Sequence, residues 1–598
     1  MIPQNLGSLF KDTARRLPAK KAYLFKENGK YRAITWAQAA AKVDAIAAAL
    51  LARGLKPGDK IAILSENRPE WTWVDLAAQT IGAVVVPIYT SLTPPEIRYI
   101  LQDSGARMAA VSTKALFKKI AAVQSSLPLL HTLIGFEPSL TLSQDEITIP
   151  LILLKELEKP PSIEADLEKG LAALKGDAVA SIIYTSGTTG IPKGVMLTHS
   201  NFIHNAAACR KAFRMDESDI HLSFLPLSHV FERTVGHYLM IYIGATVAYA
   251  ENLDTVPQDI LAVRPTFLLG VPRFYEKIKE KVLETVSRAG SFKKGLFFWA
   301  KDIGARKRTA LSDKRPLGVF FAVERRLAHW LAYRKFQERL GGRLRFCISG
   351  GAPLAKEVAE FFYDLGVMVY EGYGLTETSP VITVNREDKF KFGTVGSPLE
   401  GVEVKIADEG EIATKSPSVM KGYYNKEEET KAVLRADWFY TGDLGMFDKE
   451  GFLVITGRKK ELIVTSGGKK VAPRPIEETL ERDSFILRCV LFGEARRFIT
   501  ALVVPSKEAV IGYAREGKIA YDRYADLLKN PLIYAMLDRR IQELTKDLAG
   551  FEKIKYFVLL ENDFAQDADV LTPTLKIKRE AVFARYQNEL LPLYEKEK

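Results

Sequence analysis

Over about its first 270 residues the sequence alternates short apolar runs with longer stretches of helical periodicity. Lys60–Leu64, Ala83–Ile88 and Ala178–Tyr184 are short apolar runs of the kind that form buried strands. Ala37–Arg53 is apolar at helical spacing and stops at Gly54, a residue type that commonly ends helices. Strands that alternate with helices build parallel sheets covered by helices. The alternation therefore predicts a layered α/β fold with a largely parallel sheet.

A chain of 598 residues is too long for one hydrophobic core, so two or more domains are expected. Further strand patterns lie later in the chain, at Arg345–Ser349, Val367–Tyr370, Glu403–Lys415, Gly451–Thr456, Ile486–Phe492 and Ile499–Pro505. We predict an α/β fold with a large multi-layer N-terminal domain, 1–457, made of two α/β subdomains and a β-rich subdomain. A hinge at 458–460 would join it to a smaller mobile α+β domain, 461–598.

Basic residues are concentrated in one segment, 276–345, which interrupts the N-terminal domain. The whole chain has a net charge of +12 and a pI of about 9.2. This segment contains 19 Lys and Arg but 7 Asp and Glu, so it holds the entire excess. Its pattern is helical, and its large apolar side chains are Phe292, Leu296, Phe297, Phe298, Trp299, Phe320, Phe321 and Trp330.

Two interpretations of this basic helical insertion stay open. Cations mixed with aromatic side chains suit a surface that lies on anionic lipid. Alternatively, the insertion is a helical hairpin that packs its aromatic side chains in a core and leaves its charges in water. Nucleic acid is not expected as a partner, because no nucleic-acid-binding module is recognisable.

Cysteine content and the lack of targeting features indicate where in the cell the protein is expected. Three cysteines lie far apart with no CxxC pair, which argues against a disulfide framework or a cysteine-ligated metal. The N-terminus lacks the apolar core of a secretory signal. The longest apolar stretch, near Leu239–Ala250, is well short of the ~20 residues that a spanning helix needs. The expected location is the cytoplasm, with peripheral attachment at the inner face of the membrane as a further expectation.

The loop Tyr184-Thr-Ser-Gly-Thr-Thr-Gly-Ile-Pro-Lys-Gly194 follows a predicted buried strand. Glycines let backbone N–H groups approach phosphate oxygens, hydroxyls add donors, and lysine supplies positive charge. The spacing differs from GxxxxGK[ST], so this is not the common P-loop. Composition alone leaves open both a phosphate-binding loop and a mobile turn.

Further motifs follow in the chain: Ser349-Gly-Gly-Ala-Pro353, Tyr373-Gly-Leu-Thr-Glu-Thr378, Tyr440-Thr-Gly-Asp-Leu-Gly445, Gly457-Arg-Lys-Lys-Glu-Leu462 and Thr572-Pro-Thr-Leu-Lys576. In this order, and over nearly the whole chain, they resemble the signatures of the acyl-adenylate-forming superfamily. That superfamily includes acyl-CoA synthetases, luciferases and peptide-synthetase adenylation domains. One position departs from it, because Leu575 stands where the family usually has glycine.

The resemblance implies a role for each matched residue. The phosphate loop comprises Thr185, Ser186, Gly187, Thr188, Thr189, Gly190 and Lys193. Gly351, Ala352 and Pro353 would line the adenosine, Tyr373 and Gly374 the adenine, and Thr376 the α-phosphate. Thr185 and Glu377 would hold Mg²⁺, and Asp443 and Arg458 would bind the ribose. Lys460 would lie at the hinge. Lys576, Thr185 and Glu377 would act in catalysis.

The implied chemistry has two steps. A carboxylate attacks the α-phosphorus of ATP and releases pyrophosphate, which calls for positioning and for cationic stabilisation. The C-terminal domain then moves about the hinge, and a thiol attacks the acyl-adenylate. Thr465-Ser-Gly-Gly-Lys469 resembles the loop beside the pantetheine arm of CoA, where Gly467 and Gly468 allow close approach. A plain hairpin turn is the alternative.

Leu225-Pro-Leu-Ser-His-Val-Phe-Glu-Arg233 resembles a stretch of long-chain fatty acyl-CoA synthetases, and so does Val271-Pro-Arg-Phe-Tyr-Glu-Lys277. In the first stretch His229 would lie at the carboxylate end of the acid, although a lone histidine is also commonly structural. The expected substrates are a long-chain fatty acid, ATP with Mg²⁺, and CoA. An acyl carrier protein as acceptor is the first alternative. A non-catalytic AMP-binding regulator is the second, and the joint presence of the catalytic residue types argues against it.

Overall fold

The structure is a computed structural model that describes residues 3–138, 148–158, 164–185, 191–564, 570 and 577–595. The chain divides into two compact units. The first comprises Met1–Lys405, Ala413–Thr441 and Phe447–Val454, and the second Ile406–Ile412, Gly442–Met446 and Ile455–Lys598. Two short segments before residue 455 thus belong to the second unit. The hinge at 458–460 stays a prediction.

Two large sheets form the frame of the first unit. One has the spatial order Ser397–Pro398, Val381–Val384, Met368–Gly374, Phe346–Ser349, Phe267–Gly270, Ile220–Ser223, Thr246–Tyr249, Lys21–Glu27, Lys30–Thr35. The other has the order Gly422–Tyr423, Lys193–Thr198, Val179–Thr185, Val84–Ile88, Lys60–Leu64, Met108–Val111, Thr132–Gly135, Leu151–Leu153. Their central strands are parallel, so the α/β prediction is confirmed.

Helices cover these sheets at Leu6–Arg16, Trp36–Ala52, Pro69–Ile81, Pro94–Ser104, Lys114–Ala121, Leu154–Leu157, Glu164–Ala173, His199–Ala212, Leu239–Ile243, Val256–Val263, Lys356–Asp364 and Glu427–Val433. Side-chain caps fix where two of them begin. The Thr35 hydroxyl accepts from the Gln38 N–H, and Thr198 does the same for the helix that starts at His199. Each cap satisfies an N–H group that would otherwise lack a partner at the helix start.

A charged cluster lies in the core of the first unit. Arg233 and Asp75 are both fully buried and form an ion pair. Arg233 also donates to the Ser181 hydroxyl at 2.6 Å, and Tyr238 donates to Asp75 at 2.8 Å. Burial alone would raise the pKa of the Asp75 carboxyl, but Arg233 and the hydrogen-bonded His237 and Tyr238 hold it below its ordinary value. Asp75 and Arg233 therefore both stay charged, and each charge is balanced by the other inside the core.

The basic insertion is helical, as predicted, with α-helices at Pro272–Ser287, Ser291–Ser312, Val319–Ala328 and Arg334–Arg339 and π-helical turns at His329–Tyr333. Its aromatic side chains divide between two environments. Trp299 and Phe321 pack partly buried against a small core of Ala300, Ile303, Ala328 and Tyr333. Phe292, Phe298, Phe320 and Trp330 are exposed. Neither the fully packed hairpin nor the fully exposed surface describes the whole insertion.

The second unit has its own core. Ile486–Phe492 and Ile499–Pro505 form the two predicted strands, which pair antiparallel, and Ile554–Leu559 joins the latter in parallel. Helices lie at Pro473–Glu481, Lys507–Glu516, Tyr524–Leu528, Pro531–Leu544 and Arg579–Leu590. A further sheet has strands Glu403–Ile406, Glu411–Lys415, Trp438–Phe447, Leu434–Arg435 and Leu453–Arg458. Among the described residues, no helix combines the length and apolarity that crossing a bilayer requires.

Candidate active site

Three of the predicted site motifs lie at one edge of the first sheet. Ile220–Ser223, Phe267–Gly270, Phe346–Ser349 and Met368–Gly374 are successive parallel neighbours, so their carboxyl ends meet. Ligand sites in parallel sheets lie outside such ends. The predicted adenosine turn, residues 351–353, follows the third strand and is exposed.

His229 follows the strand that ends at Ser223 and is half-buried. The Phe231 N–H donates to its Nδ1 at 3.2 Å, which fixes the ring beside the backbone. A Cβ on Gly350 would lie 3.3 Å from the Phe231 ring, so the His229 stretch and the adenosine turn lie side by side. The structure thus brings these two motifs together at the sheet edge.

Tyr373 and Gly374 end the fourth strand, where Tyr373 pairs with Thr383. A Cβ at Gly374 would collide with the backbone of Pro380, so only glycine fits there. One 3₁₀ turn, Thr376–Thr378, follows and carries Glu377. Thr376 and Glu377 are both half-buried, which leaves their side chains within reach of a ligand.

The predicted phosphate loop joins two antiparallel strands. Thr185 is the last residue of Val179–Thr185, Lys193 is the first of Lys193–Thr198, and the two residues pair across the hairpin. Ser186, Gly187, Thr188, Thr189 and Gly190 lie outside the described residues. Both described ends are therefore anchored to the second sheet.

Tyr423 connects the lysine of the loop to Glu377. Its hydroxyl donates to Glu377 Oε1 at 2.8 Å, and Lys193 Nζ lies 5.0 Å from the centre of its ring. Burial raises the pKa of Tyr423 well above its ordinary value, and the Glu377 charge adds to this, so the hydroxyl stays protonated. The sequence offers no signal for this role, because it depends on Gly422–Tyr423 pairing with a strand far away in the chain.

The backbone reinforces the same arrangement. The Met420 N–H donates to the Glu377 carbonyl at 2.8 Å, and the Tyr424 N–H donates to the Gly194 carbonyl at 2.7 Å. One short segment therefore holds both the carboxylate turn and the strand that carries Lys193.

The second unit places two of its predicted residues in contact. Arg458 Nε donates to Asp443 Oδ1 at 2.7 Å, and the Asp443 side chain is buried. The neighbouring Lys459 pairs with Glu409 and Glu411 at 3.0 and 3.1 Å. Lys460 is exposed, and Lys576 lies outside the described residues.

Gly467 and Gly468 lie in a tight hairpin between Ile463–Val464 and Lys470–Val471. The Gly468 N–H donates to the Thr465 carbonyl at 2.9 Å, and Gly468 has a φ of +71°. Both glycines are exposed and nothing lies within 4 Å of where their Cβ atoms would be. These two glycines therefore lie in a hairpin turn whose surface is open enough for a narrow ligand to approach.

The donor chemistry around Glu377 fits Mg²⁺. Glu377 offers a carboxylate oxygen, and Thr185, predicted as its partner, would offer a hydroxyl; Mg²⁺ prefers oxygen ligands and keeps several waters. In the part of the chain that the structure describes, no three His, Cys, Asp or Glu side chains are grouped to hold a metal. A metal shared with substrate phosphates would need no such group.

Sequence comparisons place both units in one family. Residues 10–424 match the family described as AMP-binding enzyme, and 460–598 match the AMP-binding enzyme C-terminal domain. The long-chain-fatty-acid–CoA ligase FadD15 of Mycobacterium tuberculosis is 34% identical over 99% of this chain and 97% of its own length. The peroxisomal long chain acyl-CoA synthetase 7 of Arabidopsis thaliana is 31% identical over 95% and 82%.

Solved structures share the fold. The anthranilate CoA ligase AuaEII in complex with anthranoyl-AMP has a TM-score of 0.74 at 19% identity, covering 99% of each chain. A fatty acyl CoA synthetase of Mycobacterium tuberculosis has a TM-score of 0.64 at 23% identity, covering 98% of this chain and 99% of that one. The architecture is therefore that of acyl-CoA ligases.

Proposed function

Because this chain belongs to the AMP-binding enzyme family, we propose that it is an AMP-forming ligase that uses ATP to join a long-chain fatty acid to coenzyme A. The acid is first converted to acyl-AMP with release of pyrophosphate, and its acyl group then passes to the CoA thiol. The observation that carries this proposal is the meeting of Lys193 and Glu377 at Tyr423. It supplies a cation and a carboxylate beside the strand end where the phosphate loop begins.

The residues of the first unit are assigned to nucleotide binding and adenylation. Lys193 offsets phosphate charge as the carboxylate approaches, while Thr185 and Glu377 hold Mg²⁺. A bound magnesium ion supplies charge compensation on the phosphate oxygens. Tyr373 and Gly374, with the turn at 351–353, hold adenosine at the sheet edge, and Thr376 contacts the α-phosphate.

The residues of the second unit are assigned to ribose binding and to the acyl-transfer step. Asp443 and Arg458 bind the ribose, and their existing contact already orients both side chains. Residues 458–460 act as the hinge for the acyl-transfer step. Gly467 and Gly468 line the path of the pantetheine arm, which their open surroundings support.

A fatty acid is proposed as the substrate for two reasons. Relatives that match over nearly the whole chain are named as long-chain fatty acid ligases or long-chain acyl-CoA synthetases. The Leu225–Arg233 stretch also resembles a stretch of long-chain fatty acyl-CoA synthetases. His229, fixed beside the adenosine turn, is assigned to the carboxylate end of the acid. An acyl carrier protein remains the alternative acceptor.

One assay tests the proposal as a whole. Pyrophosphate release is measured with acids of increasing chain length, and the product is then identified by mass with either CoA or acyl carrier protein. We expect release with long-chain acids and an acyl-CoA product. If the acyl product formed only on the carrier protein, that protein rather than CoA would be the acceptor. Absence of pyrophosphate with every acid would leave an AMP-binding protein without ligase activity.

Tyr423→Phe tests the link between Lys193 and Glu377. The substitution keeps the ring beside Lys193 but removes the hydrogen bond to a charged carboxylate, a contact worth about 1.5–3 kcal/mol. We expect pyrophosphate release to slow by about tenfold and the magnesium concentration for half-maximal rate to rise. The matched control is Tyr424→Phe, which removes a neighbouring hydroxyl. Equal magnesium dependence in both variants would contradict the assignment.

A further inference from the structure

The helical stretch Val319–Tyr333 in the basic insertion is apolar on two opposite sides. Its inner side, with Phe321, Ala328 and Tyr333, packs on Ala300 and Ile303. Tyr333 donates to the Ala300 carbonyl at 2.6 Å, which fixes the helix orientation. The outer side therefore cannot turn inward without exposing this small core.

The outer side forms an exposed apolar ridge, made of Val319, Phe320, Val323, Leu327 and Trp330. Their exposed fractions are 82, 90, 56, 49 and 66%. Phe320, Val323, Leu327 and Trp330 follow one another at intervals of three or four residues, which is the spacing of one helix face. Single exposed apolar residues are ordinary, but a continuous row of this size marks an interaction surface.

Exposed cations lie in the same helical segment as the ridge. Arg325 and Arg326 are exposed in the helix Val319–Ala328, and Lys293 and Lys294 are exposed beside Phe292 on the neighbouring helix Ser291–Ser312. None of these four cations has an ion pair among the described residues. Arg306, by contrast, is paired with Glu324 at 3.0 Å. The charge of these four side chains is thus available to an external anion.

We propose that this ridge docks the protein on the surface of a bilayer that contains anionic phospholipid. The apolar side chains would enter the headgroup–acyl boundary, and the flanking cations would meet lipid phosphates. A Lys or Arg near such a surface strengthens binding by about fivefold. Long-chain acids partition into bilayers, so docking would bring the proposed enzyme to its substrate. In that respect the inference rests on the proposed function.

Charge distinguishes the bilayer from other occupants. The segment 276–345 carries the whole net charge of +12, so a second copy of the chain would bring like charges together. A nucleic acid would match the charge but would offer little to five exposed apolar side chains. An anionic bilayer matches both properties at once.

Vesicle co-sedimentation tests the proposal without requiring catalysis. The full chain is mixed with vesicles of phosphatidylcholine alone or with phosphatidylglycerol added, at low and high salt. We expect sedimentation with the anionic vesicles and a decrease at high salt. The ridge variant F320S/W330S and the charge variant R325E/R326E are each expected to bind at least about tenfold more weakly.

The controls make comparable changes elsewhere, an exposed apolar side chain to serine and an exposed cation to glutamate. L253S/L532S removes two exposed leucines, and K114E/K118E reverses two exposed lysines outside the insertion. Both are expected to bind like the original chain, and thermal melting checks that every variant is folded. Binding that ignores lipid charge, or equal losses in ridge and control variants, would overturn the proposal. So would a concentration-dependent dimer that the ridge variant abolishes while vesicle binding is absent. Failure of ligase activity leaves this readout unaffected.

Discussion

Lys576→Ala is expected to slow acyl-adenylate formation by about 10²–10³-fold, which corresponds to loss of one transition-state charge contact. Transfer of the acyl group from preformed acyl-AMP to CoA is expected to survive, because charge on the α-phosphoryl group builds up in the first step. The two half-reactions are measured separately, by pyrophosphate release and by thioester formation. Lys576 lies outside the described residues, so this expectation rests on its place in the Thr572–Lys576 motif.

The chain provides a close control for this experiment. Lys578 is an exposed lysine two residues further on, where its backbone N–H donates to the Val570 carbonyl. Lys578→Ala removes the same side chain and should leave both half-reactions near their original rates. Equal loss of both steps in Lys576→Ala would show that the lysine serves no special role in adenylation.

Arg233→Met is expected to destabilise the first unit by about 3–5 kcal/mol, because it leaves the buried Asp75 carboxylate without its partner. Trp71 reports on this site, since its ring centre lies 5.4 Å from the guanidinium. Denaturant unfolding followed by tryptophan fluorescence measures the change. Arg306→Met is the control, because that exposed ion pair should contribute at most about 1 kcal/mol.

A second variant separates the lost charge from lost packing. Asp75→Asn added to Arg233→Met removes the unpaired charge while keeping the side-chain size, and should recover part of the stability. No recovery would attribute the loss to packing around Trp71 and Phe202 instead.

Local patterns predicted the frame of the molecule well. Lys60–Leu64, Ile486–Phe492 and Ile499–Pro505 are strands with the predicted bounds, because a short apolar run between turn signals has few other ways to become buried. Thr185 was predicted to follow a strand that ends at Tyr184, and the strand extends to include it, whereas the strand that begins at Lys193 was not predicted. Their roles came from the resemblance rather than from any local pattern.

Contacts between distant segments could not be predicted in this way. Arg233 reads as part of a substrate motif, yet its side chain is fully buried against Asp75. Tyr423 has no periodic or compositional signal, and its importance arises from a strand pairing. In the insertion, composition revealed the cations and aromatic side chains but not which helix face each would occupy. That division follows from packing on Ala300 and Ile303.

The pairing of Gly422–Tyr423 with the strand that begins at Lys193 has a consequence for biosynthesis. Lys193 leaves the ribosome about 230 residues before Tyr423 does. The strand that carries the lysine must therefore wait, with one edge unpaired, while the whole basic insertion is translated. The contacts that Tyr423 makes with Glu377 and Lys193 can form only once residue 423 has emerged, so this part of the candidate site is completed late in the synthesis of the first unit.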